Sequence, residues 1–444
     1  MIQDLVNYFK GKKILILGFG REGQSTYKVI REYLPEQKIF IADLKENFEI
    51  NFEILKEEKN AEYISGKGYL DNLNNYDIIM KSPGISFVGV EVDKEKIKSQ
   101  LELLLEFFNI FTIGVTGTKG KSTTSSLIYK VLKDQNIDTM LLGNIGIPVF
   151  DFIDDIKENQ KIVLEMSSHQ LEFMKNSPNI SILTNIFPEH LDHYESFEKY
   201  AEAKCNIFKY QKEEDSFIYN IDNENSVNFV KDVKSNKYTV SLRDSEADVY
   251  LKDGKVYFEN EVIYSKDEPR KLLGDYNLNN IMYVLVVSKI LNLDLNKTIK
   301  SISEFETLPH RLEFVGKYND ISYYDNSIAT IPAATIEAVK ALKSVDTLII
   351  GGMDRGVDYT DLINFLNKSV VRNIICMPIT GHDIAKKITN QNTYNVENLF
   401  DAVKIAKEVT KKEGICLLSP AAASYGFFKN FEERGDMFQK YVKE

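Results

Sequence analysis

The densest run of chemically capable residues is Gly114-Val115-Thr116-Gly117-Thr118-Lys119-Gly120-Lys121-Ser122-Thr123-Thr124. A loop that cradles phosphates needs glycines whose amides turn inward, a lysine for the β- and γ-phosphates and a hydroxyl for Mg²⁺. Lys121 and Ser122 suit the last two roles, among Gly117, Thr118, Lys119, Gly120 and Thr123. The strict GxxxxGK[ST] pattern is not met, because Val115 stands where its first glycine belongs. The variant, GTKGKS, lies between an expected strand at Phe111–Val115 and an expected helix at Ser122–Leu132. Downstream, Glu165 ends the expected strand Lys161–Met166, a position that metal-binding acids of phosphoryl-transfer enzymes often occupy. His190 and His193 have HxxH spacing, which a metal pair shares with an ordinary surface loop. Lys204, taken alone, reads as a solvated helix lysine.

A second constellation opens the chain. Gly18-Phe19-Gly20-Arg21-Glu22-Gly23 follows one expected strand and begins a helix, as a nucleotide-binding turn does, and Asp43 closes the next strand where a ribose-binding acid would sit. The same residues would also serve as a tight turn with no ligand. Ser82-Pro83-Gly84-Ile85 closes a later strand of the same set. Positioning these groups requires an alternation of short strands and helices, and the chain supplies it throughout. Strands are expected at Lys13–Leu17, Lys38–Asp43, Glu62–Ser65 and Tyr76–Met80, with a helix at Gln24–Tyr33. A second set comprises Phe111–Val115, Thr139–Leu142, Lys161–Met166 and Ile180–Asn185. A hairpin is expected from Asp248–Leu251 and Lys255–Phe258, turning at Asp253-Gly254. The third set is Ile321–Tyr324, Thr347–Ile350, Arg372–Met377 and Gly414–Leu418, with a helix at Val396–Thr410. The fold class is α/β, with largely parallel sheets and a small antiparallel element.

Composition narrows the function. At about 150 residues per domain, 444 residues suggest about three domains. With 43% apolar and 27% charged residues, extensive disorder is excluded. A net charge of −11 argues against broad nucleic-acid binding, which needs a basic surface. The first residues lack a signal-peptide pattern, and no apolar run approaches the roughly 20 residues of a membrane span. Cys205, Cys376 and Cys416 are widely spaced and form no CxxC pair, which excludes a disulfide framework. A cytoplasmic protein, with no membrane span and monomeric, is expected.

Read in order, the blocks resemble the Mur ligase family. They are GVTGTKGKSTT, GNIGIP at Gly143–Pro148, LEMSSHQLE at Leu164–Glu172, TNIFPEHLDHY at Thr184–Tyr194, YAEAK ending at Lys204, LPHRLE at Leu308–Glu313, GGMDRG at Gly351–Gly356 and LSPAAASYGFFKNFEERG at Leu418–Gly435. The resemblance implies three domains: a Rossmann-like UDP-sugar domain at 1–105, a central P-loop ATP domain at 106–307, and a Rossmann-like amino-acid domain at 308–444. It implies an ATP-dependent ligase that adds glutamate to UDP-N-acetylmuramoyl-L-alanine through an acyl phosphate, in peptidoglycan precursor synthesis. D-glutamate is expected, with L-glutamate the alternative. A folylpolyglutamate-synthase-like ligase and an NAD-binding oxidoreductase are more distant alternatives. The UDP-type first domain weighs against the former. The latter leaves Glu165, His190 and Lys204 without roles.

The resemblance also assigns residues. ATP is held by Gly117 to Thr123, by Asn277 and Asn280 near the adenine, and by Arg311. Asp325 or Asn326 meets the ribose. Two Mg²⁺ ions are served by Ser122, Glu165, His190 and by Lys204 as a CO₂-derived carbamate. Catalysis rests on Lys121, Glu165, His190 and Lys204. The UDP substrate contacts Gly18, Phe19, Gly20, Arg21, Asp43, Ser82, Gly84 and Asn144, and the glutamate contacts Thr330, Arg355, Ser424 and Phe431. Three departures from the family pattern stand out: Tyr276 where a histidine is usual, the reversed order Asp325-Asn326, and Ile328 in place of a lysine near the glutamate.

Overall fold

The structure is a computed structural model that describes residues 1–143, 148–191 and 193–444. The expected Asn144 contact lies outside the described residues. Strands β1 (Ile14–Leu17), β2 (Ile39–Asp43), β3 (Ala61–Ser65), β4 (Ile78–Lys81) and β5 (Ile97–Lys98) form a parallel five-stranded sheet in the order β3-β2-β1-β4-β5. The Ile14-Leu15-Ile16-Leu17 run is buried on both faces, as a strand covered by helices on each side requires. The strand order reverses between β1 and β4, the place where open α/β sheets bind ligands. The Gly18 and Ser82 turns both leave the sheet there.

The second sheet contains β6 (Phe111–Thr116), β7 (Thr139–Gly143), β8 (Lys161–Glu165), β9 (Ile180–Leu183), β10 (Ser216–Asn220), β11 (Asn236–Ser241), β12 (Val249–Lys252), β13 (Lys255–Phe258) and β14 (Glu261–Ser265). Its order is β14-β13-β12-β11-β10-β9-β6-β8-β7. The expected hairpin is present as β12 and β13, and positive φ at both Asp253 (48°) and Gly254 (75°) makes its turn. β14 extends it, and a parallel pairing of β11 with β12 joins this antiparallel element to the main sheet. Strands β10 and β11 were not expected from sequence. Their polar ends, Ser216, Asn220, Asn236 and Lys237, mask the pattern, and pairing within the sheet overrides it.

The third sheet, in the order β15-β16-β20-β17-β18-β19, uses β15 (Glu313–Tyr318), β16 (Ile321–Asp325), β17 (Val345–Ile350), β18 (Asn373–Cys376), β19 (Asn392–Asn395) and β20 (Ile415–Leu418). Only the β15–β16 pair is antiparallel, turning through Asn319 and Asp320 at positive φ. The helix expected at Val396–Thr410 runs Leu399–Val409, because Asn398 caps it by accepting from the Asp401 amide.

The chain divides into two compact units. One comprises Met1–Glu268 and Leu278–Ile302, and the other Pro269–Asn277 and Ser303–Glu444. In the first, a single apolar cluster runs from Leu5, Ile14 and Ile41 to Ile162, Leu183 and Phe217, so the first two sheets share one core. In the second, alternation along the strands builds two cores. Leu348, Ile350 and Ile374 face one, while Ile349, Ile375 and Leu418 face the other. Cys205, Cys376 and Cys416 are all buried free thiols. Among the described residues, no helix is long and apolar enough to cross a membrane.

Candidate active site

The phosphate loop joins β6 to the helix Lys121–Asp134. Gly117 (φ 144°) and Gly120 (φ 92°) hold backbone conformations that side-chain-bearing residues rarely adopt. A Cβ at Gly117 would fall 1.9 Å from Thr184 Oγ1, and one at Gly120 would fall 2.7 Å from Asn280 Oδ1. The loop leads directly into the helix N-terminus at Lys121, the kind of helix end that binds anions. Thr124 Oγ1 donates to Asn280 Oδ1 at 3.1 Å, which ties Asn280 to the loop. Thr123 is 3% exposed, so its side chain belongs to the core beneath.

Two lysines converge on one carbonyl. Lys121 Nζ donates to Gly117 O at 2.8 Å and Thr118 O at 3.2 Å, and Lys204 Nζ donates to the same Gly117 O at 3.0 Å. Lys204 is 2% exposed and sits 4.8 Å above the Tyr200 ring. It is not a solvated helix lysine. Burial, and then the Lys121 ammonium, push its amine well below the usual lysine range. Glu165 is buried at the end of β8, paired in register with Val115 just before the loop.

His190 follows on a stretch stitched to the loop. Thr118 N donates to Asn185 O at 2.9 Å, Phe187 N donates to Thr118 Oγ1 at 2.9 Å, and Lys119 pairs with Glu189. The His190 ring, half-exposed, lies 4.8 Å from that of His169 and 6.2 Å from that of Tyr200. His169 in turn lies 4.2 Å from His193. Burial first, and then the surrounding histidines and lysines, push the His169 imidazole down to about 3, so it is neutral at ordinary pH. His169 carried no assigned role in the sequence reading. Its signal was its place inside LEMSSHQLE, but only the fold brings it to the other two histidines.

At the first sheet, Gly18 (φ 86°) packs so closely that a Cβ would lie 2.9 Å from Ser82 Oγ, and that hydroxyl donates to Gly18 O at 2.9 Å. Both oxygens of Asp43 accept backbone amides, from Phe19 and Lys45, each at 2.9 Å. The Phe19 side chain is buried against Phe48, Phe52 and Tyr27, so only its backbone faces the turn. Gly20 caps the helix Arg21–Tyr33, where Arg21 is exposed, and Gly84 is exposed as well.

In the second unit, neither Asp325 nor Asn326 projects its side chain outward. Asp325 Oδ2 meets His310 Nδ1 at 2.7 Å and Gln439 Nε2 at 3.1 Å, while Oδ1 accepts from Ser327 N at 2.9 Å. Asn326 accepts from Leu312 N at 3.1 Å and donates to Ser419 Oγ at 3.0 Å. His310, Glu313 and Asp325 have metal-like spacing, yet Glu313 Oε2 already accepts from His310 N and Gln439. Asn277 Nδ2 donates to Leu273 O at 2.6 Å, and Arg311 is half-buried. Of the glutamate candidates, Ser424 lines a cavity of about 340 Å³ with Gly351, Gly352 and Phe428, whereas Thr330, Arg355 and Phe431 are not in its wall. Arg434, fully buried, donates to Ser327 O at 2.8 Å, Ser327 Oγ at 3.0 Å and Ala422 O at 3.1 Å, and Ser327 Oγ donates to Phe431 O at 2.8 Å. These bonds fix the segments that carry Thr330, Ser424 and Phe431 against one another.

The family model described as the Mur ligase middle domain matches residues 115–288. The chain is 32% identical to UDP-N-acetylmuramoylalanine--D-glutamate ligase of Acetivibrio thermocellus, covering 99% of this chain and 98% of that one. It is 33% identical to the enzyme of the same name from Clostridium perfringens, with 99% and 98% covered. The chain belongs to the Mur ligase family. Its fold is also that of the UDP-N-acetylmuramate-alanine ligase of Thermotoga maritima, with a TM-score of 0.62, 19% identity and 97% and 99% of the two chains covered. A Mur ligase is an ATP-dependent ligase, and the loop's cradle, with Lys121 at its centre, suits a polyphosphate. The donors also suit its divalent partner: a buried carboxylate, Glu165, and the Ser122 hydroxyl are hard oxygen ligands of the kind Mg²⁺ takes.

Proposed function

We propose that this Mur ligase joins D-glutamate to UDP-N-acetylmuramoyl-L-alanine, with cleavage of ATP to ADP and phosphate, as a cytoplasmic monomer of three domains bounded at 105/106 and 307/308. The observation that carries the reading is the convergence of Lys121 and Lys204 on the Gly117 carbonyl, in a phosphate loop within a chain similar along its length to D-glutamate-adding enzymes. A carboxylate is a poor acyl donor, so it must first be activated. An oxygen of the L-alanyl carboxylate attacks the γ-phosphorus of ATP, and the bond to the β,γ-bridging oxygen breaks with its electron pair leaving on ADP. The glutamate nitrogen then attacks the carbonyl carbon and loses a proton, and phosphate departs with the C–O electron pair.

The protein's part is positioning and charge neutralisation. Lys121 and the amides of Gly117 to Ser122 bind the phosphates. Ser122, Glu165 and His190 would hold Mg²⁺, which would neutralise charge on the transferring phosphoryl group. Lys204 takes up CO₂: its neutral amine attacks the carbon, an N–C bond forms, and an amine proton passes to solvent. The product is an anion where a cation would repel Lys121. The Gly18 and Ser82 turns, with Gly20, Arg21, Asp43 and Gly84, hold a uridine nucleotide rather than NAD. Thr330, Arg355, Ser424 and Phe431 receive the glutamate, and Arg355 can grip a carboxylate in bidentate fashion.

Ile328, where the family resemblance implies a lysine, leaves L-glutamate as the second reading. Phosphate release measured with UDP-N-acetylmuramoyl-L-alanine and each glutamate enantiomer separately tests both. Release with the D form alone is expected. Release with neither would overturn the ligase reading, and release with L alone would overturn only the enantiomer.

A further inference from the structure

Lys81 is an uncommon group to find inside a protein. It ends β4, immediately before the Ser82-Pro83-Gly84 turn, with its side chain 3% exposed and its ammonium 5.8 and 5.6 Å from the Phe87 and Phe173 ring centres. It reaches Pro83 O at 3.3 Å and Glu172 Oε2 at 3.5 Å. The same carboxylate oxygen meets His193 Nε2 at 3.2 Å. A buried ion pair adds little stability over an apolar pair of equal volume, so packing alone does not account for this one.

Its location offers a reason. His193 closes the stretch that carries His190, and Ser86 Oγ donates to His193 O at 2.9 Å. That stretch begins at Thr184 and Asn185, which bind the phosphate loop: Lys119 N donates to Asn185 Oδ1 at 2.8 Å, and Thr184 Oγ1 donates to Lys119 O at 2.7 Å. One run of chain therefore grips the ATP loop at one end. At the other it is tied, through Glu172, to the residue that begins the turn assigned to the UDP substrate.

We infer that the Lys81–Glu172–His193 bridge couples these two sites, so that a uridine nucleotide on the Ser82 turn tightens ATP binding at the phosphate loop, and the reverse. Glu172 acts here as a positioning residue, holding the two binding segments in one register through Lys81 and His193. The inference rests on the substrate assignments proposed above. Reciprocity is required thermodynamically, because a coupling free energy belongs to both sites at once.

The test measures the Kd of UDP-N-acetylmuramoyl-L-alanine by calorimetry, with and without Mg²⁺ and a non-hydrolysable ATP analogue. In the native chain the analogue should tighten the UDP ligand by about fivefold or more. In Glu172→Gln that ratio should fall to about one, with each ligand alone bound within about threefold of native. The paired change Lys81→Met with Glu172→Leu, which removes both charges and keeps the volume apolar, should give the same loss and serves if the single variant fails to fold. A merely structural role would weaken both ligands or lower stability without abolishing the ratio. Independent binding in the native chain, or an unchanged ratio in the variants, would overturn the bridge and leave the ligase reading standing. If the native chain binds neither ligand, the reading and the inference fall together.

Discussion

Lys204 is held where a permanent cation would be costly, with Lys121 on the same carbonyl and solvent excluded. The carbamate proposed above would turn the repulsion from Lys121 into attraction. Lys204→Ala should therefore lower turnover by about 100-fold or more, the scale of removing one aligned electrostatic group. Added acetate or formate should restore part of it by filling the vacated anion position. Near-native turnover in the alanine variant would return Lys204 to the role of a core lysine. His310 makes a different residue-scale prediction. Its hydrogen bond to Asp325 raises its imidazole above the usual histidine value, helped by Asp436 and Glu313 and opposed by burial. A raised folded pKa means that this stabilisation is whole below about pH 6.5 and is lost as pH climbs through the folded value. Between about pH 6 and pH 9, the urea midpoint of the native chain should fall more than that of His310→Gln. Parallel profiles would exclude the pair as a source of pH dependence.

At the scale of elements, the phosphate loop is the most sequence-legible part of the protein, and its Gly117 leaves no room for a side chain. Its chemistry needs contiguous residues, so a single stretch announces it. Gly117→Ala forces an alanine into φ 144° and drives its Cβ onto Thr184 Oγ1. It should cost about 1–3 kcal/mol in urea unfolding and abolish binding of the ATP analogue. Gly20→Ala is the control: with φ −73° and no atom within 4 Å of the new Cβ, it should change stability by about 0.5 kcal/mol or less. Equal effects at both positions would refute the steric account. The apolar cores of β1, β6 and β17 are plain from their runs, whereas β10 and β11 have polar ends and are strands only because neighbours pair with them. Lys204 is marked by its local block, but its burial beside Lys121, like the Lys81–Glu172–His193 bridge, draws on distant segments that no local spacing reveals. Asp325 and Asn326 were recognised by motif, yet their inward hydrogen bonds depend on Gln439, Ser419 and His310, which only the folded third sheet assembles.

For the whole molecule, the assignments predict which regions each ligand should quiet. UDP-N-acetylmuramoyl-L-alanine should slow amide exchange around Gly18 to Gly20 and Ser82 to Ile85, while an ATP analogue should slow it from Gly117 to Thr124. NADH should slow neither. Protection of the Gly18 turn by NADH would reverse the reading of the first sheet. The broad architecture was legible because alternating strands and helices pervade the chain, but the merging of the first two sheets into one core was not, since it depends on which helix faces meet. All three thiols are interior, and burial pushes those of Cys205 and Cys376 up to about 12 and that of Cys416 higher still. The native chain should thus stay silent toward maleimides while folded, and a single cysteine added on its surface would take a fluorophore or spin probe without any native cysteine having to be removed.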